Sequence, residues 1–529
     1  MSDNRKRRTE YEDGARNRRI GNPEKRTYRD DDAAENPQKL SKKELKRLRV
    51  MKSRKQSLVL ALIQLLLTII CIAEVIYLNI IPGLKLALGI IVLLLLSFYT
   101  FTMIKSRRFR FFGKIVSVLM IIVLLVSSIY IGKVNGILDK IAGIDTKTYI
   151  INVYVLKENS ARNIKDAKDY TFGMLGSLDR ENTNKAIDDI NKEVGGKIAT
   201  QDYSSWAELV DGLKNQEVGA IILNEGYLTS IIETEGYEKF EEETRVIHTT
   251  KIVVKINVNN NKDVTENPFI MYVSGIDTRG EMTASSRSDV NILAVVNPKT
   301  KQVLLLNTPR DYYVPLAMNG ELDKLTHAGI YGVDESMNTL AKLYDVDVDY
   351  YFRVNFIGFE KIIDALGGID VYSDYDFTTI HGGYYYSKGM NHLNGIQALG
   401  FCRERYAFPA GDVQRGKNQM AVIQAVIQAM SAKEVLKNFS DLADSIKECF
   451  ETSMSQSQIS SLVKMQIDDG SKWNVVSYTV RGEGDTQPCY SLSLQNYVMW
   501  PDDTLIGNAK TLIKQVMDGE DINLDAVSE

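Results

Sequence analysis

Cysteine and histidine are scarce in this chain, at four of each in 529 residues. Cys71, Cys402, Cys449 and Cys489 show neither the paired spacing of a zinc site nor the density of a disulfide framework. Cys449 and Cys489 are the one pair that an oxidising exterior could join. Cys402, alternating with Phe401 and Arg403 in an expected strand, reads as a buried thiol and not a nucleophile. None of His248, His327, His381 and His392 stands beside a Gly-x-Ser-x-Gly elbow, which disfavours a nucleophile-based hydrolase. His381 and His392 lie in Gly/Tyr/Asn-rich turn sequence and read as surface residues. The chain also lacks a P-loop and a His-Glu-x-x-His zinc motif.

Long apolar runs, by contrast, are present, at 57–81, 84–104 and 115–134. Each is about 20 residues, roughly 30 Å as a helix, which matches a bilayer core. Pro82-Gly83 makes a tight hairpin between the first two. Charge is distributed unevenly around them. Residues 1–56 carry 19 Lys/Arg against 10 Asp/Glu, a balance of +9, and residues 57–114 carry six basic residues against Glu74, a balance of +5. The total of −4 therefore leaves −18 for 115–529. The positive-inside bias puts the tail and the basic 105–114 connection in the cytoplasm and everything after Val134 outside. Residues 1–56 read as a basic, disordered tail with a short helix after Lys39. The tail has no aromatic interleaving and no fold, so nucleic-acid binding is not expected. Glu74, near the outer end of the first run, is expected to pair with Lys85.

The exterior portion reads as two α/β units. Residues 145–261 form a small accessory domain, with a strand at 149–155, helices at 163–178 and 183–194, a strand at 220–223 and further helix. Its acids lie on solvated faces, Trp206 reads as core, and a spacer or docking role is expected. Residues 265–529 form a catalytic domain, a mixed sheet with flanking helices and a C-terminal extension. Strands at 291–296 and 302–307, joined by the turn Asn297-Pro298-Lys299-Thr300, must run antiparallel. That register places 288–289 opposite 309–310, at the open end of the hairpin. Asp334 is expected to cap a helix, Asn355 to cap another at 356–366, and Gly367-Gly368 to close it. A short helix at 395–399 precedes an extended 400–406 segment that would point Arg403 and Arg405 to one face. A long helix then starts near Asp412 and puts Asp412, Arg415 and Gln419 on one stripe at its N-terminal end.

Six arginines and four aspartates recur in this second domain: Asp277-Thr278-Arg279, Arg287-Ser288-Asp289, Pro309-Arg310-Asp311, Arg403-Glu404-Arg405, and Asp412 with Arg415. Each pair read singly could be a structural ion pair. Taken together, cations aimed at one place repel unless a polyanion lies between them. Arginine grips phosphate oxygens bidentately, and Asp277 and Asp289 could hold Mg²⁺. The residues thus favour phosphoryl chemistry by positioning and charge neutralisation, with Asp311 or Asp412 as a base or as an orienting acid.

Between Pro268 and Ala429 these residues, with Asp364-Ala365-Leu366-Gly367-Gly368, Leu393-Asn394-Gly395, Ala398-Leu399, Gly411-Asp412 and Asn418-Gln419, resemble the LytR-CpsA-Psr family of Gram-positive bacteria. Gly416-Lys417 and Cys402 depart slightly from its pattern. The resemblance implies a membrane-anchored phosphotransferase that moves a cell-wall glycopolymer from a polyprenyl-pyrophosphate carrier to a peptidoglycan hydroxyl. It assigns Mg²⁺ to Asp277 and Asp289 and the pyrophosphate to Arg287, Arg310, Arg403, Arg405 and Arg415, with Asp412 and Gln419 in support. Three spanning segments plus an accessory domain resemble the capsule-assembly branch. A lipid-pyrophosphate hydrolase and a non-enzymatic scaffold of envelope assembly are the competing readings; the oligomeric state is not legible.

Overall fold

The computed structural model describes residues 41–258, 262–276, 282, 285–429, 450–470, 472–492 and 494–527. Asp277, Arg279 and Cys449, and with Cys449 the expected disulfide, lie outside the described residues. Three helices are long and apolar enough to cross a membrane: α1 (Lys42–Leu78), α2 (Gly83–Lys105) and α3 (Arg110–Ile141). The basic stretch after Lys39 is not a separate helix, because α1 runs through it into the apolar run without a break.

Residues 41–63 and 98–118 form one compact unit. Within it Lys114 Nζ donates to Ser53 Oγ at 3.2 Å. The second unit holds residues 64–97 and everything from Leu119 on. There Thr68 Oγ1 and Ser97 Oγ are 3.1 Å apart, so α1 and α2 share a polar contact within their apolar lengths. Lys85 does not meet Glu74. Its ammonium donates to the carbonyl of Ile467 at 2.9 Å, while Lys464 donates to Asn79 Oδ1 at 3.1 Å. Val134, Ile137, Leu138 and Ile141 of α3 pack with Phe450 and Ile459. The end of the third apolar helix is thus built into the domain that follows it.

The accessory region is a five-stranded sheet with strands β1 (Thr146–Leu156), β2 (Thr171–Leu175), β3 (Ala199–Tyr203), β4 (Ala220–Asn224) and β5 (Thr244–Lys255), in the order β3-β2-β4-β1-β5. Strands β2, β3 and β4 are parallel, and β1 is antiparallel to both β4 and β5. Helices α4 (Arg180–Val194), α5 (Trp206–Lys214) and the short α6 (Leu228–Ile232) accompany it. The sequence misleads in three places here. The expected helix at 163–178 is a turn followed by β2, β3 carries no apolar alternation because its residues are mostly exposed, and β5 replaces expected helix. Trp206 is fully buried, as its surroundings in sequence suggest.

The second sheet has six strands. They are β6 (Phe269–Ile276), β7 (Ser288–Asn297), β8 (Gln302–Asn307), β9 (Tyr350–Asn355), β10 (Phe450–Thr452) and β11 (Asn474–Thr479), in the order β10-β9-β6-β7-β8-β11. The hairpin β7–β8 is antiparallel with Ile292 opposite Asn307, and it lies near the centre of the sheet. Helices α7 (Val333–Tyr344), α8 (Phe356–Ala365), α9 (Gly395–Arg403), α10 (Asp412–Ala429), α11 (Gln456–Asp469) and α12 (Asp503–Asp518) complete the domain. Asn355 caps α8 by accepting from Gly358 N–H, and Gly367 and Gly368 follow with positive φ, as the sequence indicates. Asp334 does not cap α7. Gly332 holds that position, and Asp334 instead pairs with Lys147 at 2.9 Å.

One hydrophobic core joins the two sheets' surroundings. Trp206, Leu209, Tyr227 and Ile231 pack in a single cluster with Leu316, Ala328, Ile330 and Leu492. Large apolar side chains bury roughly 1.5–3 kcal/mol each. The accessory region therefore shares a packed core with the domain built on the second sheet.

Candidate functional site

The β7–β8 register builds the first part of the site. Continuing the ladder from Ile292 opposite Asn307 brings Asp289 opposite Arg310. Arg310 Nη1 donates to Asp289 Oδ1 at 2.8 Å. Arg310 Nε lies 3.9 Å from Asp311 Oδ2, and Asp311 takes Lys324 Nζ at 2.9 Å. Lys324 is a cation of the site that no sequence motif singled out. Beneath the strand ends, Tyr272 Oη donates to Asn291 Oδ1 at 2.7 Å and lies 2.9 Å from Ser288 Oγ.

The second part is the first turn of α10, where Arg415 Nη2 meets Asp412 Oδ1 at 2.6 Å. Gln419 Nε2 donates to the carbonyl of Cys402 at 3.4 Å, and Asn418 Nδ2 to that of Phe401 at 3.2 Å, tying α10 to the end of α9. Gln419 thus holds the scaffold under the arginines.

The third part corrects the expected extended segment. Residues 400–403 continue the helix α9, which a capping box at Asn394 and Gln397 starts. Cys402 is buried there, and burial pushes its thiol well above the ordinary range. Arg403 ends the helix with its guanidinium 4.3 Å from the centre of the Phe356 ring. The chain then turns sharply. Arg405 lies over Tyr406, 4.6 Å from the ring centre, and Nη2 reaches Tyr406 Oη at 2.5 Å. Arg403 and Arg405 therefore do not alternate on a strand.

Glu404, flanked by these two cations, neutralises neither. Its Oε1 accepts the backbone N–H of Arg405, Tyr406 and Ala407 at 2.9, 2.7 and 3.0 Å, and Oε2 accepts that of Ile380 at 2.8 Å. Burial pushes its carboxyl up, but four backbone donors outweigh that and hold it low. Glu404 is the pin of the turn. The sequence placed it only as part of a triplet.

Arg287 completes the group. Its Nη2 donates to Glu233 Oε2 at 2.7 Å, a carboxylate at the end of α6 in the accessory region. The segment before it is fixed by Ser285 N–H, which donates to Thr148 O of β1 at 3.1 Å. Gly329 passes so close that a Cβ there would stand 2.4 Å from Ser286 O.

Electrostatics show that these parts share one field. Burial raises the Asp289 carboxyl, but Arg310 first, then Arg287 and Arg415, bring it down to about 2. Burial lowers Arg310, yet Asp289, Asp311 and Asp412 outweigh it and hold that guanidinium charged. At the Asp412–Arg415 pair burial wins on both sides. The carboxyl is raised despite Arg415 and Arg310, and the guanidinium is lowered, with Arg310 and Arg405 adding repulsion. Two guanidinium nitrogens, Arg287 Nε and Arg310 Nε, are buried with no hydrogen-bond partner among the described residues. Buried donors without acceptors cost about 1–3 kcal/mol each, and an entering anion supplies what they lack.

For a metal, Asp289 offers an ionised carboxylate whose Oδ1 alone is engaged by Arg310. An ionised oxygen donor suits a hard divalent cation. Among the described residues, one group of three potential ligands lies within 4.8 Å: Asp323, His327 and Cys489. Its carboxylate is already occupied by His327, Ser491 and Lys324 N–H, so it reads as a structural network. His381 and His392 are exposed, as their sequence context indicates.

A family model described as the LytR_cpsA_psr family matches residues 230–505. The chain is 37% identical over 198 residues to the polyisoprenyl-teichoic acid–peptidoglycan teichoic acid transferase TagU of Bacillus mycoides strain KBAB4, covering 37% of this chain and 64% of that protein. It is 32% identical over 203 residues to the protein of the same name from Enterococcus faecalis V583, covering 38% and 65%. The match spans a little under two thirds of the length of these two relatives. Among solved structures, TagV of B. subtilis shares 27% identity over 48% of this chain and 98% of its own, with a TM-score of 0.41.

Proposed function

Because this chain belongs to the LytR-CpsA-Psr family, whose model spans just over half of it, we propose that it is a membrane-anchored glycopolymer phosphotransferase acting outside the cytoplasm. Its donor is a glycan on a polyprenyl pyrophosphate, and its acceptor a peptidoglycan hydroxyl. The architecture of three apolar helices and an accessory domain favours a capsular glycan as cargo. The observation that carries the reading is that Arg310 holds Asp289 at 2.8 Å while the charges of Arg287 and Arg415, from separate stretches, also lower that carboxyl, with two guanidinium Nε donors left over.

In the reaction the acceptor oxygen attacks the phosphorus that bears the glycan. The bond from that phosphorus to the bridging oxygen breaks, and polyprenyl phosphate leaves. Arg310 and Arg287 bind the phosphate oxygens and stabilise the charge that moves to the leaving group. Arg415 closes the anion site from the start of α10, whose dipole favours anions. Arg403 and Arg405 stand at the rim. Of the acids, Asp412 suits proton acceptance from the attacking hydroxyl better than Asp289, because burial raises its proton affinity while Asp289 is held near 2. Mg²⁺, bound by Asp289 with Asp277, would neutralise pyrophosphate charge as the bridge breaks.

The test uses the full chain in detergent or bilayer discs, with a prenyl-pyrophosphate-linked glycan and a peptidoglycan acceptor. Transfer that requires Mg²⁺ and vanishes in Arg310→Ala is expected. Free glycan released at the same rate with acceptor present, or full transfer by Arg310→Ala, would overturn the reading.

A further inference from the structure

Among the described residues, Glu233 is the one carboxylate in contact with these arginines that comes from the accessory region. It caps the C-terminal end of α6, and its bond to Arg287 Nη2 joins a half-exposed acid to a guanidinium only 10% exposed. Glu233 takes an Nη2 hydrogen and leaves Nε buried and without an acceptor among the described residues. In a guanidinium, Nε–H and one Nη2–H point the same way and form a two-donor edge that matches two phosphate oxygens. Nη2 carries two hydrogens, so Glu233 takes one of them and fixes the plane of the group, while Nε–H remains without an acceptor among the described residues.

We propose that Glu233 is a positioning residue: it orients Arg287 so that its Nε edge faces the diphosphate, which makes the accessory domain part of the binding site. The inference rests on the diphosphate reading above. The platform under Glu233 is rigid. Gly226, at the start of the same segment, lies so close that a Cβ would meet Ser285 O at 3.1 Å. Lys147 Nζ, from β1, donates to Tyr331 O at 2.8 Å and to Asp334 at 2.9 Å, and Tyr149 Oη donates to Tyr331 O at 2.6 Å. A donor fork held from both sides loses less freedom when it binds, which favours affinity.

The experiment measures binding of geranylgeranyl pyrophosphate to the full chain by calorimetry, together with KM and kcat for transfer, in wild type, Glu233→Ala and Glu233→Gln. Glu233→Ala should weaken binding and raise KM about tenfold, with kcat changed much less. Glu233→Gln keeps an acceptor oxygen and should recover most of the loss, a rescue that a purely electrostatic role would not give. Unchanged or tighter binding by Glu233→Ala, in protein with wild-type circular dichroism, would overturn the proposal. Wild type that binds no prenyl pyrophosphate would instead remove the diphosphate reading, and with it the anion Glu233 positions.

Discussion

Two kinds of arginine occur among the residues assigned to this site. Arg310 and Arg415 are buried against carboxylates, Asp289 and Asp412, at 2.8 and 2.6 Å. Arg403 and Arg405 lie over aromatic rings, with ring centres 4.3 and 4.6 Å away. The difference is one of commitment. A buried ion pair holds its geometry, and removing one member strands the other. A ring face attracts the charge but accepts little, so the stacking contact itself occupies none of the guanidinium's in-plane donors. The first kind fixes where the anion goes; the second can turn to meet it. Substitutions at the two kinds should therefore separate stability from substrate affinity.

The largest effect belongs to Arg310→Ala. It leaves Asp289 without the guanidinium that pairs with it, while Asp311 keeps Lys324. A loss of about 3–5 kcal/mol in thermal or denaturant unfolding is expected, with transfer reduced about 10²–10³-fold or more. Arg310→Lys keeps the charge but not the fork, and should recover stability before it recovers turnover. A stable Arg310→Ala variant would break the contrast at its strong end.

Acid titration sharpens the same side. The folded-state carboxyl of Asp289 is at about 2, below its ordinary 3.8. Its contribution is therefore present above about pH 4 and is lost as pH falls through about 2, an amount on the order of 2 kcal/mol. Asp289→Asn should lower stability at neutral pH and flatten the acid limb in that window. Asp412 has the opposite sign. Its carboxyl is raised, so its share is full below the ordinary value and is lost as pH rises through the raised one. Asp412→Asn should accordingly cost less at neutral pH than Asp289→Asn, and unfolding curves of the two variants at pH 7 decide the order.

The strong side of the contrast was largely legible in the sequence. Two apolar strands and a turn with Asn297-Pro298 fix a register, and period-two geometry then sets Asp289 against Arg310. The polar stripe Asp412–Arg415–Gln419 follows from helical spacing in the same way. The ring side was not legible. Gly400-Phe401-Cys402 is too short an apolar run to tell strand from helix, and the capping box at Asn394 announces where α9 begins but not where it stops. Glu404 between two arginines suggests an ion pair, whereas its oxygens go to backbone N–H groups. Glu233 was invisible for a different reason: its contact with Arg287 spans 54 positions and two sheets, and no local pattern encodes it.

Arg403→Ala and Arg405→Ala test the rim. Arg405 lies over Tyr406 and makes no ion pair among the described residues, so its removal should shift unfolding by less than about 1 kcal/mol. The KM for the lipid-linked donor should nonetheless rise roughly tenfold or more, because a hydrogen bond to a charged phosphate is worth about 1.5–3 kcal/mol. An unfolding loss as large as that of Arg310→Ala would erase the distinction between the two kinds of arginine.

The smallest effect isolates the ring itself. Phe356 is the first residue of α8, directly after the Asn355 cap, and its ring lies under the Arg403 guanidinium. Phe356→Leu keeps an apolar side chain there and leaves the Asn355 cap in place, but removes the π-face. A cation–π contact near the surface is worth about 0.5–1 kcal/mol, so KM should rise by a factor of roughly two to five. The same substitution in an Arg403→Ala background should do nothing further, because the ring then has no cation to hold. Equal effects in both backgrounds would mean that Phe356 acts through packing and not through the Arg403 guanidinium.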